Sequence, residues 1–185
     1  MEKTNNTGIL RIAIAGPEST GKSTLAEQLA KHYNTVFVPE YAREYIDNLN
    51  RAYTLDDIVI ISKKQIELED ELLPEARRLL ICDTNLIVTQ IWAEHKYGKC
   101  PEWIKDTIKE RHYDLHLLCN IDIPWKSDPQ REHPQLREYL FEKYRQELEA
   151  MHVPVVLISG LGKTRTENAI TAIENIIKKK ENLRN

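Results

Sequence analysis

Residues 16–24, GPESTGKST, constrain the fold more than any other stretch, because the spacing of their glycines and lysine suits one local structure. They match the pattern G-x-x-x-x-G-K-[ST] and follow the mostly apolar run LRIAIA at 10–15. In such a pattern the glycines let backbone N–H groups turn inward around an anion, and the helix that follows adds the positive end of its dipole. The stretch therefore predicts a phosphate-binding loop, or P-loop, that joins a strand to a helix.

Short apolar runs alternate with helical patterns along the chain. The runs are apolar on both faces, which is typical of parallel strands covered by helices, and they predict strands at 9–15, 35–38, 79–82, 115–121 and 153–159. Helical patterns occupy 22–32, 54–73, 85–97, 102–111, 135–151 and a last stretch that begins at Thr164. Thr54 is a predicted N-cap, and Thr164 with Glu167 predicts a capping box.

This order of elements, together with the P-loop, predicts an α/β protein with the P-loop NTPase/kinase fold. We expect a central, mostly parallel five-stranded sheet with helices on both faces. The segment IPWKSDPQREHP, at about 123–134, differs in composition from its surroundings because it is charged and rich in proline. It is predicted to form a mobile lid, and this segment is called the lid below.

The composition limits the kind of partner. A formal net charge of −3 over 185 residues gives no reason to expect nucleic acid. No apolar stretch approaches the roughly 20 residues that cross a bilayer, and residues 1–8 lack the apolar centre of a signal peptide. We therefore expect a cytoplasmic protein with a small-molecule substrate and neither a nucleic-acid nor a membrane partner, while an oligomer stays possible.

The P-loop predicts a site for ATP with Mg²⁺. Lys22 is long enough to reach the β- and γ-phosphates, and the Ser23 hydroxyl is a candidate ligand of the metal ion. The neighbouring residues offer backbone donors to the phosphates. The predicted nucleotide-binding residues are Gly16, Glu18, Ser19, Thr20, Gly21, Lys22, Ser23 and Thr24.

Asp83 follows the buried run 79–82 and is the second candidate metal ligand. The carboxyl end of a parallel strand lies at the sheet edge where ligands bind, and an acid there, beside a P-loop, can hold Mg²⁺ directly or through water. The alternative is that Asp83 only caps the helix that follows.

The stretch VPEYAREY, which ends the second predicted strand, supplies a candidate acceptor site. Glu40 could accept the proton of an attacking hydroxyl, Tyr41 could cover a ring, and Arg43 lies one turn further on. The alternative is the exposed start of an ordinary amphipathic helix.

Two lid residues are further candidates for a role in phosphoryl transfer. Arg131 could neutralise the charge that develops on a phosphoryl group in transfer, and Trp125 could cover the acceptor. The alternative for Arg131 is an exposed arginine in a charged loop. Together these observations give Lys22, Glu40, Asp83 and Arg131 as the candidate catalytic residues.

With these residues in view, the chain resembles the ribosylnicotinamide kinase domain of the NadR family. The resemblance runs from GPESTGKS through PEYAREY and CDTNLIVTQ to WKSDPQR and the strand VPVVLIS. It implies phosphoryl transfer from ATP to the 5′-hydroxyl of nicotinamide riboside, which yields nicotinamide mononucleotide in NAD biosynthesis. It also implies that Glu40 and Arg43 lie in the acceptor pocket, Asp83 in the metal or catalytic position and Arg131 in the lid.

The chain departs from the family pattern in two ways. The family's residue before E-Y is a tryptophan suited to ring stacking, whereas this chain has Pro39. Only about eight residues precede the first predicted strand, so we expect a kinase domain that stands alone. The predicted organisation is a disordered tail at 1–8, a P-loop kinase domain at 9–180 and a C-terminal tail at 181–185.

The residues leave other functions open. The acceptor could be another nucleoside or a nucleotide, because the P-loop does not specify it. A nucleotide-dependent regulatory ATPase would use the same P-loop and Asp83, with loop movements as its output.

Overall fold

A computed structural model describes residues 8–131 and 134–183. Its centre is a five-stranded sheet in which every neighbouring pair of strands is parallel, in the order β2-β3-β1-β4-β5. All five predicted strands are present, each within two residues of the predicted bounds at either end. The strands are β1 (Leu10–Ala15), β2 (Phe37–Val38), β3 (Leu79–Asp83), β4 (Leu115–Cys119) and β5 (Val155–Ile158).

Seven α-helices are present in the part of the chain that the structure describes. They are α1 (Lys22–Tyr33), α2 (Tyr41–Asp47), α3 (Leu55–Leu72), α4 (Leu86–Tyr97), α5 (Glu102–Glu110), α6 (Arg137–Ala150) and α7 (Gly162–Asn182). Short 3₁₀ turns follow α3 at Leu73–Glu75 and precede α6 at Pro134–Leu136. None of the helices within 8–131 and 134–183 has the length and apolar character needed to cross a membrane.

The ends of the chain differ from the prediction. The capping box at Thr164 is wrong, because α7 begins two residues earlier, after Leu161, without a side-chain cap. Gly160 and Gly162 have φ angles of 100° and 52°, so the chain can turn from β5 directly into this helix. Residues 181 and 182 continue α7, which shortens the predicted C-terminal tail. Residues 1–7 of the predicted N-terminal tail, residues 132–133 of the lid and residues 184–185 lie outside the described residues.

Helices cover both faces of the sheet. Along β1, Ile12 and Ile14 pack in a core with α1 and α7, whereas Ala13 and Ala15 pack in the clusters of the opposite face. This alternation follows the two-residue period of a strand, and all four side chains are completely buried. The α/β fold with helices on both faces is therefore confirmed.

The start of α3 ties the second helix to the core. The Thr54 side chain caps α3 as predicted, and the carboxylate of Asp57 accepts a hydrogen bond from the Thr54 N–H at 2.7 Å. The same carboxylate accepts the Tyr45 hydroxyl of α2 at 2.8 Å and pairs with Arg51 at 2.6 Å. These bonds hold the pKa of Asp57 well below its usual range, chiefly because of the arginine. One cap thus positions both α2 and α3.

We expect Thr54→Ala to lower the free energy of unfolding by about 1 kcal/mol, because an N-terminal donor of α3 loses its acceptor. Urea unfolding followed by circular dichroism measures the change. Thr171→Ala is the matched control, since Thr171 is exposed within α7 and its hydroxyl bonds only to the Glu167 carbonyl of its own helix. Equal stability of the two variants would contradict the role of the cap.

Candidate active site

The P-loop bends sharply between β1 and α1. Gly16 has a φ of 137°, and a Cβ atom there would lie 2.9 Å from the Cys119 carbonyl oxygen of β4. Gly21 also has a positive φ, 76°, and a Cβ at this position would lie 3.0 Å from Ile123. Gly16 is therefore required by both its backbone angle and the close approach of β4, whereas Gly21 is required chiefly by its positive φ.

The N-terminus of α1 is left open to an anion. Gly21 caps the helix without a side-chain hydrogen bond, and the first turn contains no acidic residue. The backbone donors and the dipole of the helix are thus not neutralised by the chain itself. The Lys22 ammonium group donates to the Pro17 carbonyl at 3.1 Å and makes no ion pair with any described residue. The ammonium group is therefore held at the P-loop and is available to a phosphate group bound there.

Asp83 lies next to the P-loop because β3 pairs directly with β1. The register places Asp83 opposite Ile14, two residues before Gly16. Burial, with the charge of Glu40, raises the pKa of Asp83 to about 6, although a hydrogen bond with Ser23 and the charge of Lys22 oppose the shift. Helix α4 is capped by Asn85, whose side chain accepts the Ile87 N–H at 3.2 Å. The alternative of Asp83 as the helix cap therefore fails.

Asp83 and Ser23 suit a magnesium ion. Only 1% of Asp83 is exposed, and its Oδ1 atom is buried without a hydrogen-bond partner. A buried carboxylate oxygen without a donor is a group that a cation would satisfy. No cluster of three or more His, Cys, Asp or Glu side chains able to hold a metal occurs among the described residues. This donor set fits Mg²⁺, which commonly takes one or two protein ligands together with phosphate oxygens and water.

A buried glutamine positions Glu40. The side chain of Gln65 in α3 donates to the Pro39 carbonyl at 3.1 Å and accepts the Tyr41 N–H at 2.9 Å. These two bonds bracket Glu40, which is the N-cap of α2 but makes no side-chain capping bond. The carboxylate of Glu40 has no hydrogen-bond partner among the described residues and is left available to a ligand.

A cleft of about 210 Å³ joins the P-loop to the acceptor side. The nine residues of the P-loop, 16–24, form one wall. The remaining walls come from α2, α4, α6 and the lid, through Glu40, Ala42, Arg43, Ile46, Val88, Ile91, Trp92, His95, Gln130, Arg131, Leu140 and Tyr144. The P-loop and the residues of the predicted acceptor site therefore face one cavity.

Most of the predicted site residues meet at this cleft. All eight predicted nucleotide-binding residues line it, together with Glu40, Arg43 and Arg131. Asp83 does not line it, but a hydrogen bond with Ser23, which does line it, contributes to the pKa of Asp83.

Two predicted aromatic residues lie elsewhere, which corrects the expectation that their rings face the acceptor. The ring of Tyr41 packs toward Tyr45, with 6.0 Å between the centroids. The ring of Trp125 lies beside the guanidinium group of Arg137, 5.8 Å from the ring centroid.

The structure supplies other aromatic side chains that the sequence analysis missed. Trp92 and His95 reach the cleft from α4, and Tyr144 reaches it from α6. Burial, with the charges of Glu40 and Glu18, raises the pKa of Tyr144 far above its usual range. A signal was available for α4, because its cleft residues Val88, Ile91, Trp92 and His95 follow the spacing i, i+3, i+4, i+7 of one helical face.

The chain is similar in sequence to known proteins. A family model, AAA_28, described as an AAA domain, matches residues 11–165. The trifunctional NAD biosynthesis/regulator proteins NadR of Salmonella typhimurium and Escherichia coli are each 30% identical over 123 residues. The matched region covers 63% of this chain and 30% of either relative. The chain thus spans less than a third of the curated relatives that it matches.

Solved structures give the same fold. A crystal structure of NadR protein in complex with NR has a TM-score of 0.78 and 26% identity, and covers 91% of this chain and 49% of that chain. A NadR structure with NAD and AMP-PNP has a TM-score of 0.74 and 27% identity, and it also covers 91% of this chain and 49% of that chain. Deoxyadenosine kinase from M. mycoides with bound dATP, at 16% identity, covers 89% of this chain and 99% of its own, with a TM-score of 0.58. The P-loop kinase fold and the resemblance to NadR are confirmed.

We expect Lys22→Ala to lower ATP-dependent turnover by at least about 10²-fold, because the phosphates lose a positive charge in a partly enclosed site. Turnover is measured as ADP formed at saturating acceptor. Lys179→Ala, a change at an exposed position near the end of α7, should retain the activity of the unmodified chain. Near-normal turnover in Lys22→Ala would show that the P-loop does not hold the reacting phosphates.

Proposed function

The chain belongs to the AAA_28 family, and we propose that it is an ATP-dependent kinase that phosphorylates the 5′-hydroxyl of nicotinamide riboside to give nicotinamide mononucleotide. The observation that carries the proposal is the composition of the cleft. A P-loop forms one wall, and a carboxylate without a hydrogen-bond partner and several aromatic side chains form the others. Such a cavity has a place for a phosphate donor and a separate place for a nucleoside.

The donor side binds ATP through the P-loop backbone and Lys22. Arg131 adds a positive charge from the lid, where its guanidinium group donates to the Lys126 carbonyl at 2.7 Å. Ser23 and Asp83 are the residues that would hold Mg²⁺, which neutralises phosphate charge when bound. Arg43 lines the same cleft but is paired with Asp128 at 3.2 Å, so we assign it to the acceptor side and the lid.

The two carboxylates near the P-loop have different roles in this proposal. Glu40 lies in the cleft, so it orients the acceptor hydroxyl and accepts its proton during transfer. Asp83 is buried behind Ser23 and acts on the metal ion rather than on the acceptor. The charge of Glu40 contributes to the raised pKa of Asp83, so a cation bound near these carboxylates would favour the ionised form of Asp83.

The nicotinamide ring of the riboside is cationic, which suits the acceptor walls. Trp92, whose ring also packs against Tyr53, and the buried Tyr144 line the cleft, and Glu40 offers a negative charge. A cation–π contact contributes roughly 0.5 to 2 kcal/mol, and a neutral nucleoside would not gain it. Pro39, where the family has a tryptophan, is exposed and does not line the cleft, so we assign the aromatic wall to Trp92.

Structures of the relatives contain ligands of the kinds proposed here, which supports this choice of acceptor. One NadR structure contains NR and another contains NAD with AMP-PNP, a nucleotide of the donor type. The two alternatives are a kinase for another nucleoside or nucleotide and a regulatory ATPase. An ATPase has no need for a walled acceptor pocket beside its P-loop, and this favours the kinase.

We expect Glu40→Gln to lower kcat by about 10² to 10⁴, because the acceptor hydroxyl loses its proton acceptor while the P-loop is unchanged. The affinity for ADP, measured by titration calorimetry, should change little. Glu67→Gln is the control, since Glu67 is exposed on α3 and pairs only with Lys64. Loss of ADP binding in Glu40→Gln with unimpaired transfer would place Glu40 on the donor side instead.

We expect the kcat/KM for nicotinamide riboside to exceed the values for uridine, deoxycytidine and adenosine, because only the riboside carries a cationic ring. The four acceptors are compared at saturating ATP and Mg²⁺, with product mass as the readout. A tenfold preference for any neutral nucleoside, about 1.4 kcal/mol in transition-state binding, would overturn the assignment of the acceptor and leave the kinase intact.

A further inference from the structure

Arg137, the first residue of α6, contacts the P-loop and the base of the lid at the same time. Its Nη2 atom donates to the Ser19 carbonyl at 3.3 Å and to the Ile123 carbonyl at 2.9 Å. Its Nε atom is buried without a hydrogen-bond partner, and no described carboxylate forms an ion pair with it. The guanidinium group is half-buried and also lies against the Trp125 ring, so two carbonyls and one aromatic face hold it next to the P-loop.

The P-loop residue that Arg137 contacts has an unusual backbone. Ser19 has a φ of 57°, a conformation that residues other than glycine rarely adopt. A second contact from the lid holds it, because the Ser19 hydroxyl oxygen accepts the Lys126 N–H at 3.0 Å. The two contacts together hold both the side chain and the carbonyl of Ser19, a strained residue of the P-loop.

The other end of the lid contacts the acceptor side. Asp128 pairs with Arg43 of α2 at 3.2 Å. The Gln130 side chain donates to the Arg43 carbonyl at 3.0 Å and also bonds to Asp47. Helix α2 begins directly after Glu40. The lid is therefore hydrogen-bonded at one end to the P-loop and at the other to the helix that carries the proposed proton acceptor.

We propose that Arg137 is a positioning residue for phosphoryl transfer. It joins Ser19 of the P-loop to the base of the lid, and through the lid it sets the position of α2 relative to the P-loop. This inference rests on the proposed kinase function. The contacts at Ser19, Asp128 and Gln130 then form one continuous connection, called the lid bridge, between donor and acceptor sides. Its effect is on geometry, since Arg137 does not line the cleft. Small errors in the placement of reacting groups cost large factors in rate.

The first test separates turnover from binding and stability. Arg137→Gln should lower kcat by about 10- to 100-fold, because its shorter side chain cannot reach both carbonyls. The Kd for ADP should stay within about threefold, since the P-loop backbone is intact. Arg137→Lys should recover a large part of kcat, because a single nitrogen makes both bonds in the structure. Arg145→Gln is the control on the same helix, an exposed arginine paired with Glu142 and Glu149.

The second test needs no acceptor and therefore stands apart from the proposed function. Hydrogen–deuterium exchange is measured on the whole chain with and without ADP and Mg²⁺. In the unmodified chain we expect ADP to slow exchange in the P-loop and, through the lid bridge, in α2. In Arg137→Gln the protection of the P-loop should remain and that of α2 should be lost. Ser19→Ala, which removes the acceptor of the Lys126 N–H, should weaken the protection of α2 in the same direction.

The outcomes distinguish the two proposals. Protection of α2 in Arg137→Gln equal to that of the unmodified chain would overturn the lid bridge, even if nicotinamide riboside is phosphorylated. The lid bridge would also be overturned if Arg137→Lys lost as much kcat as Arg137→Gln and both variants melted at a lower temperature. That pattern indicates a folding defect. Protection that depends on Arg137 in a chain with no kinase activity would support the bridge and reject the proposed function.

Discussion

The direct pairing of β1 with β3 is the constraint on which the candidate site depends. It places Asp83 beside the last residues before the P-loop, while β4 on the other side of β1 brings Cys119 against Gly16. The loop can follow this path only because Gly16 has no side chain. A sheet with another strand between β1 and β3 would separate the buried carboxylate from Ser23. The proximity of Asp83 to Ser23 is therefore a consequence of strand order.

Charge is distributed over the cleft in a way that suits transfer between two ligands. Lys22, Arg43 and Arg131 bring positive charge to the cleft, Glu40 brings negative charge to it, and the buried Asp83 lies outside its walls. Burial, with the charge of Glu40, raises the pKa of Asp83 to about 6, so the ionised Asp83 carries an unfavourable electrostatic free energy in a site without a cation. A metal ion and a cationic acceptor would each reduce it.

The sequence predicted the parts of the molecule that depend on local patterns. The P-loop spacing, the apolar strands and the Thr54 cap each follow from interactions within a few residues, and the structure contains all three. The start of α7 was not predictable in the same way, because Gly160 and Gly162 allow the helix to begin before its apparent capping box. Local hydrogen-bonding patterns compete there, and the backbone freedom of glycine decides the outcome.

The site was predicted where strand ends define it and missed where helix packing defines it. Glu40 and Asp83 follow strands, so the parallel sheet alone brings them to one edge. Trp92, Tyr144 and the bracketing Gln65 depend on how α3, α4 and α6 pack over that edge, which the sequence pattern does not specify. For the same reason Tyr41 and Trp125 were assigned to the cleft, although their rings pack against Tyr45 and Arg137.

In the proposed function, donor and acceptor bind in one cleft and the phosphate passes between them. The most direct measurement is the stoichiometry of products when the protein is supplied with ATP, Mg²⁺ and nicotinamide riboside. If the phosphate is transferred to the riboside, ADP and nicotinamide mononucleotide form in equal amounts, and little ADP forms when the riboside is left out. ADP accompanied by an equal amount of free phosphate, with no phosphorylated riboside, would contradict it and identify an ATPase.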